Sequence, residues 1–85
     1  MARYSILIKR SAQRELEALP KNYLIAITKI ISSLANNPRP SGSEKLSGEE
    51  KYRMRKGPYR IVYSIHDNEL IVWVVKIAHR KDAYR

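Results

Sequence analysis

Midway along this chain the apolar pattern changes period from helical to strand-like, and that change decides what it can fold into. Tyr23, Leu24, Ile27, Ile30, Ile31 and Leu34 recur at three and four, the spacing of one face of an α-helix. From Lys51 onward alternation takes over. Tyr52 and Met54 alternate with Arg53 and Arg55, and Tyr59, Ile61, Tyr63 and Ile65 alternate with Arg60, Val62 and Ser64, a period that fits half-buried strands. The run from Leu70 to Ala78 is apolar almost throughout, as expected of a strand covered on both faces.

Ahead of the longer helix, Tyr4 to Ile8 has a β-branched apolar centre that suits a first strand. Ser11 offers an N-cap hydroxyl to a short helix with Ala12, Leu16 and Leu19 on one side. Pro20 interrupts that helix and, being tolerated in a first helical turn, opens the next. Asn36 to Pro40 stops the second helix, and turns follow at Gly57-Pro58 and at 66–69. The order β-α-α-β-β-β predicts an α+β fold, a helical hairpin packed on one face of a largely antiparallel four-stranded sheet whose other face stays partly open. At 85 residues the chain reads as one domain, 1–85, with a single core.

Without cysteine, thiol redox chemistry, disulfides and thiolate-metal sites are excluded, and a reducing cytoplasm is the expected setting. No segment has the length of a signal h-region or a membrane span. Charge is more informative: 17 Lys and Arg against 8 Asp and Glu give a formal net charge of +9. Residues 51–85 hold 9 of those basic side chains and only 3 of the acidic ones. Such density attracts a polyanion, either nucleic acid or an acidic protein.

If Tyr52 and Met54 face the helices, Arg53 and Arg55 face outward, and alternation past the tight turn brings Arg60 to the same open side, outside the core. Guanidinium groups fork to phosphate oxygens, and neighbouring rings stack on unpaired bases. Lys45, Lys51, Lys56, Lys81 and Arg85 extend this basic surface as RNA-binding candidates. Other chemistries fail on inventory. His66 and His79 without cysteine or clustered carboxylates make no zinc site, so no metal or other cofactor is expected. Gly42, Gly48 and Gly57 are scattered and form no phosphate loop. His66 reads as an exposed turn residue, whereas His79, at a strand end beside Arg80, is a candidate proton donor or acceptor.

Lys45-Leu46-Ser47-Gly48, Tyr52-Arg53-Met54-Arg55, Gly57-Pro58-Tyr59-Arg60-Ile61-Val62-Tyr63 and the ending Val75 to Arg85 together resemble the C-terminal half of the RelE/ParE toxin superfamily. The N-terminal strand and helical hairpin agree with it in pattern. The resemblance implies a type II toxin, in its RelE branch an endoribonuclease that cuts messenger RNA on the ribosome, with a cognate antitoxin as partner. It also implies a catalytic set. Arg53 and Arg55 match the paired basic residues of the second strand, Arg60 the arginine of the Tyr-Arg-x-x-Tyr strand, and Arg80 and Tyr84 the basic and tyrosine positions near the C-terminus. Arginine cannot act as a general acid or base at ordinary pH. Branches of the superfamily use histidine and carboxylates instead, which brings in His79, Glu44, Glu49 or Glu50. Two other readings stand beside this one: a ParE-like inhibitor of DNA gyrase, and a basic module that only binds nucleic acid or protein.

Overall fold

The computed structural model describes residues 3–46 and 50–79. Strand β1 (Ser5–Ile8) runs through Lys9 straight into helix α1 (Arg10–Glu17). Helix α2 (Lys21–Ser33) follows, and then strands β2 (Glu44–Lys45), β3 (Lys51–Lys56), β4 (Tyr59–His66) and β5 (Ile71–His79), with a 3-10 turn at Asp67–Glu69. The sheet has five strands in the order β1-β5-β4-β3-β2. β2 to β5 are antiparallel neighbours, while β1 pairs with β5 in parallel. Among the described residues no helix is long and apolar enough to cross a membrane.

The expected layering holds, with differences that have local causes. The sheet gains the two-residue edge strand β2, too short to announce itself by alternation. Lys9, not Ser11, occupies the N-cap of α1, because its N–H is already bound to Val74 O at 2.9 Å and its carbonyl accepts the first helical bond from Gln13 N. The chain therefore turns from strand to helix without a loop. Pro20 sits at the N-cap of α2, one position before the first turn, with an extended ψ of 145°, and α1 has already ended at Glu17 with Ala18 as its C-cap. Leu70 precedes β5 in the left-handed region (φ 53°), where its carbonyl accepts from Ser5 N.

Ala12 and Leu16 of α1, Ile27, Ile31 and Leu34 from α2, and Ile61, Tyr63, Ile65, Val72, Val74 and Ile77 of the sheet form one buried cluster. Each fully buried aliphatic side chain here contributes roughly 1.5–3 kcal/mol. The Tyr63 hydroxyl, inside this core, donates to Pro38 O at 2.8 Å. β5 runs on past the end of β1, and Glu15 of α1 covers the exposed edge: its Oε1 accepts from Ile77 N at 2.9 Å and its Oε2 from Lys76 Nζ at 3.2 Å. At the opposite end, Asp67 accepts from both Arg39 Nη groups (3.2 and 2.9 Å) and from the Tyr4 hydroxyl (2.6 Å). Arg39 Nε in turn donates to the Tyr52 hydroxyl at 3.1 Å. This network ties the loop after α2 to β1, β3 and the β4–β5 turn. The bond from Arg39, then that from Tyr4, holds the Asp67 carboxyl down at about 2, and Asp67 in return raises the Tyr4 hydroxyl.

Candidate functional site

β3 and β4 are joined by Gly57-Pro58 alone, since Lys56 and Tyr59 are paired across the strands. Gly57 has φ +58°, and the proline fixes a negative φ next to it, the combination a type II′ hairpin requires. The turn is also held from above. A Cβ on Gly57 would lie 2.7 Å from Tyr23 Cε1 and 2.8 Å from its hydroxyl. Tyr23 itself packs edge-on against Tyr59 with ring centroids 5.0 Å apart. Helix α2 thus clamps the hairpin through one tyrosine that only a glycine can sit beneath.

The register set by that turn brings the strand arginines together. Arg55 is paired with Arg60, and Arg53 with Val62, so all three arginines point to the face away from the helices. Their depths differ. The Arg55 side chain is 55% exposed and that of Arg53 20%, whereas Arg60 is buried at 5%. The expectation that Arg60 lies outside the core is corrected here. Alternation gives direction, not depth, and Arg60 stands on an inner strand, flanked by Arg55 of β3 and Ala78 of β5.

Glu44 of β2 is paired with Arg53, and its Oε1 lies 3.3 Å from Arg53 Nη2 and 3.8 Å from Arg55 Nε. One carboxylate therefore faces two guanidinium groups, and Arg53 Nε is buried with no hydrogen-bond partner among the described residues. Like charges directly opposite across a strand pair disfavour each other, so this face favours an anion beside Arg55 and Arg60. The arrangement suits a phosphate: three permanent cations at graded depth, with a proton acceptor at the rim.

Not every candidate joins this cluster. His79 pairs with Tyr59 on the helix side, its ring edge-on to that tyrosine at 5.5 Å, so the sheet separates it from the arginines. Lys51 shares the open face through its pairing with Ser64. Lys45 and Lys56 pair with Tyr52 and Tyr59 and belong to the other face. Arg80, Lys81, Tyr84, Arg85 and Glu49 lie outside the described residues. His66 ends β4, its Nε2 3.1 Å from Ser64 Oγ, where a turn was expected. Among the described residues no group of three His, Asp or Glu could hold a metal ion. The clamp by Tyr23 was not foreseen: Gly57-Pro58 announces the turn, but nothing in the sequence says which ring covers it.

A family model described as the ParE toxin of type II toxin–antitoxin systems matches residues 6–84. This chain is a member of the RelE/ParE toxin superfamily. Within that superfamily it is 33% identical to Toxin RelE of Mycobacterium tuberculosis, over 96% of this chain and 87% of the relative. Toxin RelG of the same organism is 30% identical, over 96% of this chain and 97% of its own. In structure it matches a chain of the M. tuberculosis toxin–antitoxin complex RelBE2 with a TM-score of 0.82 and 28% identity, covering 96% and 97% of the two chains. The isolated RelE toxin of E. coli has the same fold, at a TM-score of 0.80 and 23% identity over 95% and 90% of the two chains. The protein is thus a RelE-like toxin of the type II kind.

Proposed function

We propose that this toxin is an endoribonuclease that cuts messenger RNA on the ribosome, and that a cognate antitoxin restrains it. The observation that carries the reading is the convergence of Arg53, Arg55 and Arg60 on one sheet face with Glu44 at its rim. RNA brings its own nucleophile. The 2′-hydroxyl gives up its proton and its oxygen bonds to the adjacent phosphorus. The bond to the 5′-oxygen then breaks, and that oxygen leaves with a proton, so the products are a 2′,3′-cyclic phosphate and a 5′-hydroxyl. Arg60 holds the phosphate, and Arg53 and Arg55 bind the backbone and stabilise the added negative charge. Glu44 takes the 2′-hydroxyl proton. Arg80, at the basic position matched by family resemblance, is assigned to the phosphate, and Tyr84, at the matched tyrosine position, to stacking or proton transfer.

Relatives named RelE and RelG support the ribonuclease branch, and their RelB-bound counterparts in solved structures support an antitoxin partner. An acidic or amphipathic antitoxin segment complements a chain of net charge +9. The matching model's ParE description favours the second reading, inhibition of gyrase.

Programmed ribosomes with a defined message test this. Arg60→Ala is expected to slow cleavage by about 10²-fold or more, the scale of losing one stabiliser of transition-state charge. Arg60→Lys recovers only part, because a point charge does not reproduce the bidentate fork. Since Arg60 is buried, unfolding is measured alongside, and exposed Arg55→Ala supplies an arm in which loss of activity cannot be loss of fold. Lys29→Ala, on the exposed side of α2, cuts normally. Folded Arg55→Ala and Arg60→Ala proteins that cut at the wild-type rate would remove the assignment. Gyrase-linked DNA breaks without RNA cleavage would establish the ParE reading.

A further inference from the structure

The open face carries a second feature that the arginine cluster does not use. Trp73, the chain's one tryptophan, is 38% exposed on this face, beside Leu7 at 38% and the half-buried Ile71. The last strand was expected to be covered on both faces, but the helices cover only one. Trp73 reaches this side because of an irregularity. Val62 pairs with Lys76, yet its neighbour Tyr63 pairs with Val74, and the extra residue, Val75, shifts the alternation of β5. Without that bulge Trp73 would face the helices.

The register makes the two features continuous. Trp73 pairs with Ser64 of β4 and Leu7 of β1, and Ser64 pairs with Lys51 of β3. Arg60 lies four residues along β4 from Ser64, roughly 13 Å at the rise of a strand. A run of unstacked nucleotides that leaves the arginines along β4 therefore passes over the indole. Ser64 Oγ and His66 Nε2, 3.1 Å apart at the rim of the patch, offer hydrogen bonds to a base edge. Trp73, Leu7 and Ile71 are bordered by Ser5, Ser64 and His66 and continue through half-buried Val62 toward Arg60, and the exposed indole offers a flat ring a face to stack on.

We propose that Trp73, with Leu7 and Ile71 beside it, is a platform on which the bound message stacks one unpaired base away from the scissile phosphate. The inference rests on the RNA-cleaving reading and adds a determinant of strand binding to it. Aromatic residues on open sheet faces read single-stranded RNA in this way, and the stack tolerates any base.

Because Trp73 is the sole tryptophan, its fluorescence reports on this spot alone. The probe is a single-stranded oligonucleotide with 2′-O-methyl riboses, which binds without being cut, and a matched strand with abasic positions. Binding is followed by anisotropy of a label on the strand, and stacking by quenching of Trp73. The base-bearing strand is expected to quench and the abasic strand to bind without quenching. Trp73→Ala is expected to weaken the base-bearing strand roughly tenfold or more, Trp73→Phe to keep part of the affinity, and neither to change abasic binding. Binding with unaltered Trp73 emission, or full affinity in Trp73→Ala, overturns the platform and leaves the arginine assignment standing. If Trp73→Ala binds RNA normally but no longer forms the antitoxin complex, the patch is a protein-docking site and the proposal fails. Failure of either strand to bind the wild-type toxin overturns the RNA reading and the platform with it.

Discussion

Replacing Gly57 by alanine tests the clamp that sets the hairpin carrying Arg55 and Arg60. The left-handed φ of +58° costs an L-residue roughly 1–2 kcal/mol. A Cβ 2.7 Å from Cε1 and 2.8 Å from the hydroxyl of Tyr23 forces ring or turn to move, at roughly 1–3 kcal/mol more. The variant is therefore expected to lose roughly 2–5 kcal/mol, which for a domain of this size lowers Tm by about 10 °C or more. Urea unfolding of Gly57→Ala, Tyr23→Ala and the double variant separates the two contributions. With the ring gone, the alanine retains only the backbone part, so its cost falls to roughly 1–2 kcal/mol. Cleavage measured where Gly57→Ala is still folded is expected to drop as well, since Arg55 and Arg60 flank the shifted turn. A cost below 1 kcal/mol, or one unchanged by removing the Tyr23 ring, would refute the reasoning.

Asp67, held at about 2, binds fewer protons folded than unfolded between that value and its ordinary 3.8. Its stabilising effect is complete above the unfolded value and is lost as pH falls toward 2, and Asp67→Asn is expected to remove that part of the acid dependence. NMR titration of the carboxyl near 4 instead would contradict the Arg39–Asp67–Tyr4 network. Tyr63→Phe deprives the buried Pro38 carbonyl of its donor and should cost roughly 1–3 kcal/mol in urea unfolding. Glu44→Gln releases Arg53 and Arg55 from a carboxylate, so RNA binds more tightly while turnover falls; a fall in affinity would show that Glu44 orients these arginines for RNA. With Arg53, Arg55 and Arg60 on phosphates, the logarithm of the binding constant for single-stranded RNA should fall with that of salt at a slope of about −2 or steeper, and a flat response would deny phosphate contact.

Alternation was enough to place Arg53, Arg55 and Arg60 on one face, because a period of two has only two outcomes and Tyr52, Ile61 and Tyr63 settled which was inside. It said nothing of depth, which depends on the strands that flank Arg60. In β5 the apolar run shows no alternation, so it reads as covered on both faces and hides Trp73. A bulge is a relation between strands and leaves no mark in the apolar run 71–75. The side of His79 was equally out of reach, since it follows from pairing with Tyr59. Arg39 sits in what reads as a loop that stops a helix, and its partners Asp67, Tyr4 and Tyr52 come from three separate stretches. Ser11 has the right chemistry for a cap. It lost the place to Lys9 because a hydrogen bond to Val74 had already fixed where the strand ends.

The pairing of β1 with β5 also dictates when this molecule can first become dangerous. β5 joins the first strand to the hairpin that carries the arginines, yet it follows every other described element in order of synthesis. A nascent chain that has made β3 and β4 holds Arg53, Arg55 and Arg60 but lacks the strand that supports them and seals the core beneath. Until β5 emerges, β1 and α1 have no sheet to join, and long-range pairing of this sort is slow to form. A chain still being made thus cannot present the supported arginine face until β5 has left the ribosomal tunnel. That delay gives a co-expressed antitoxin the opportunity to meet the chain as it closes.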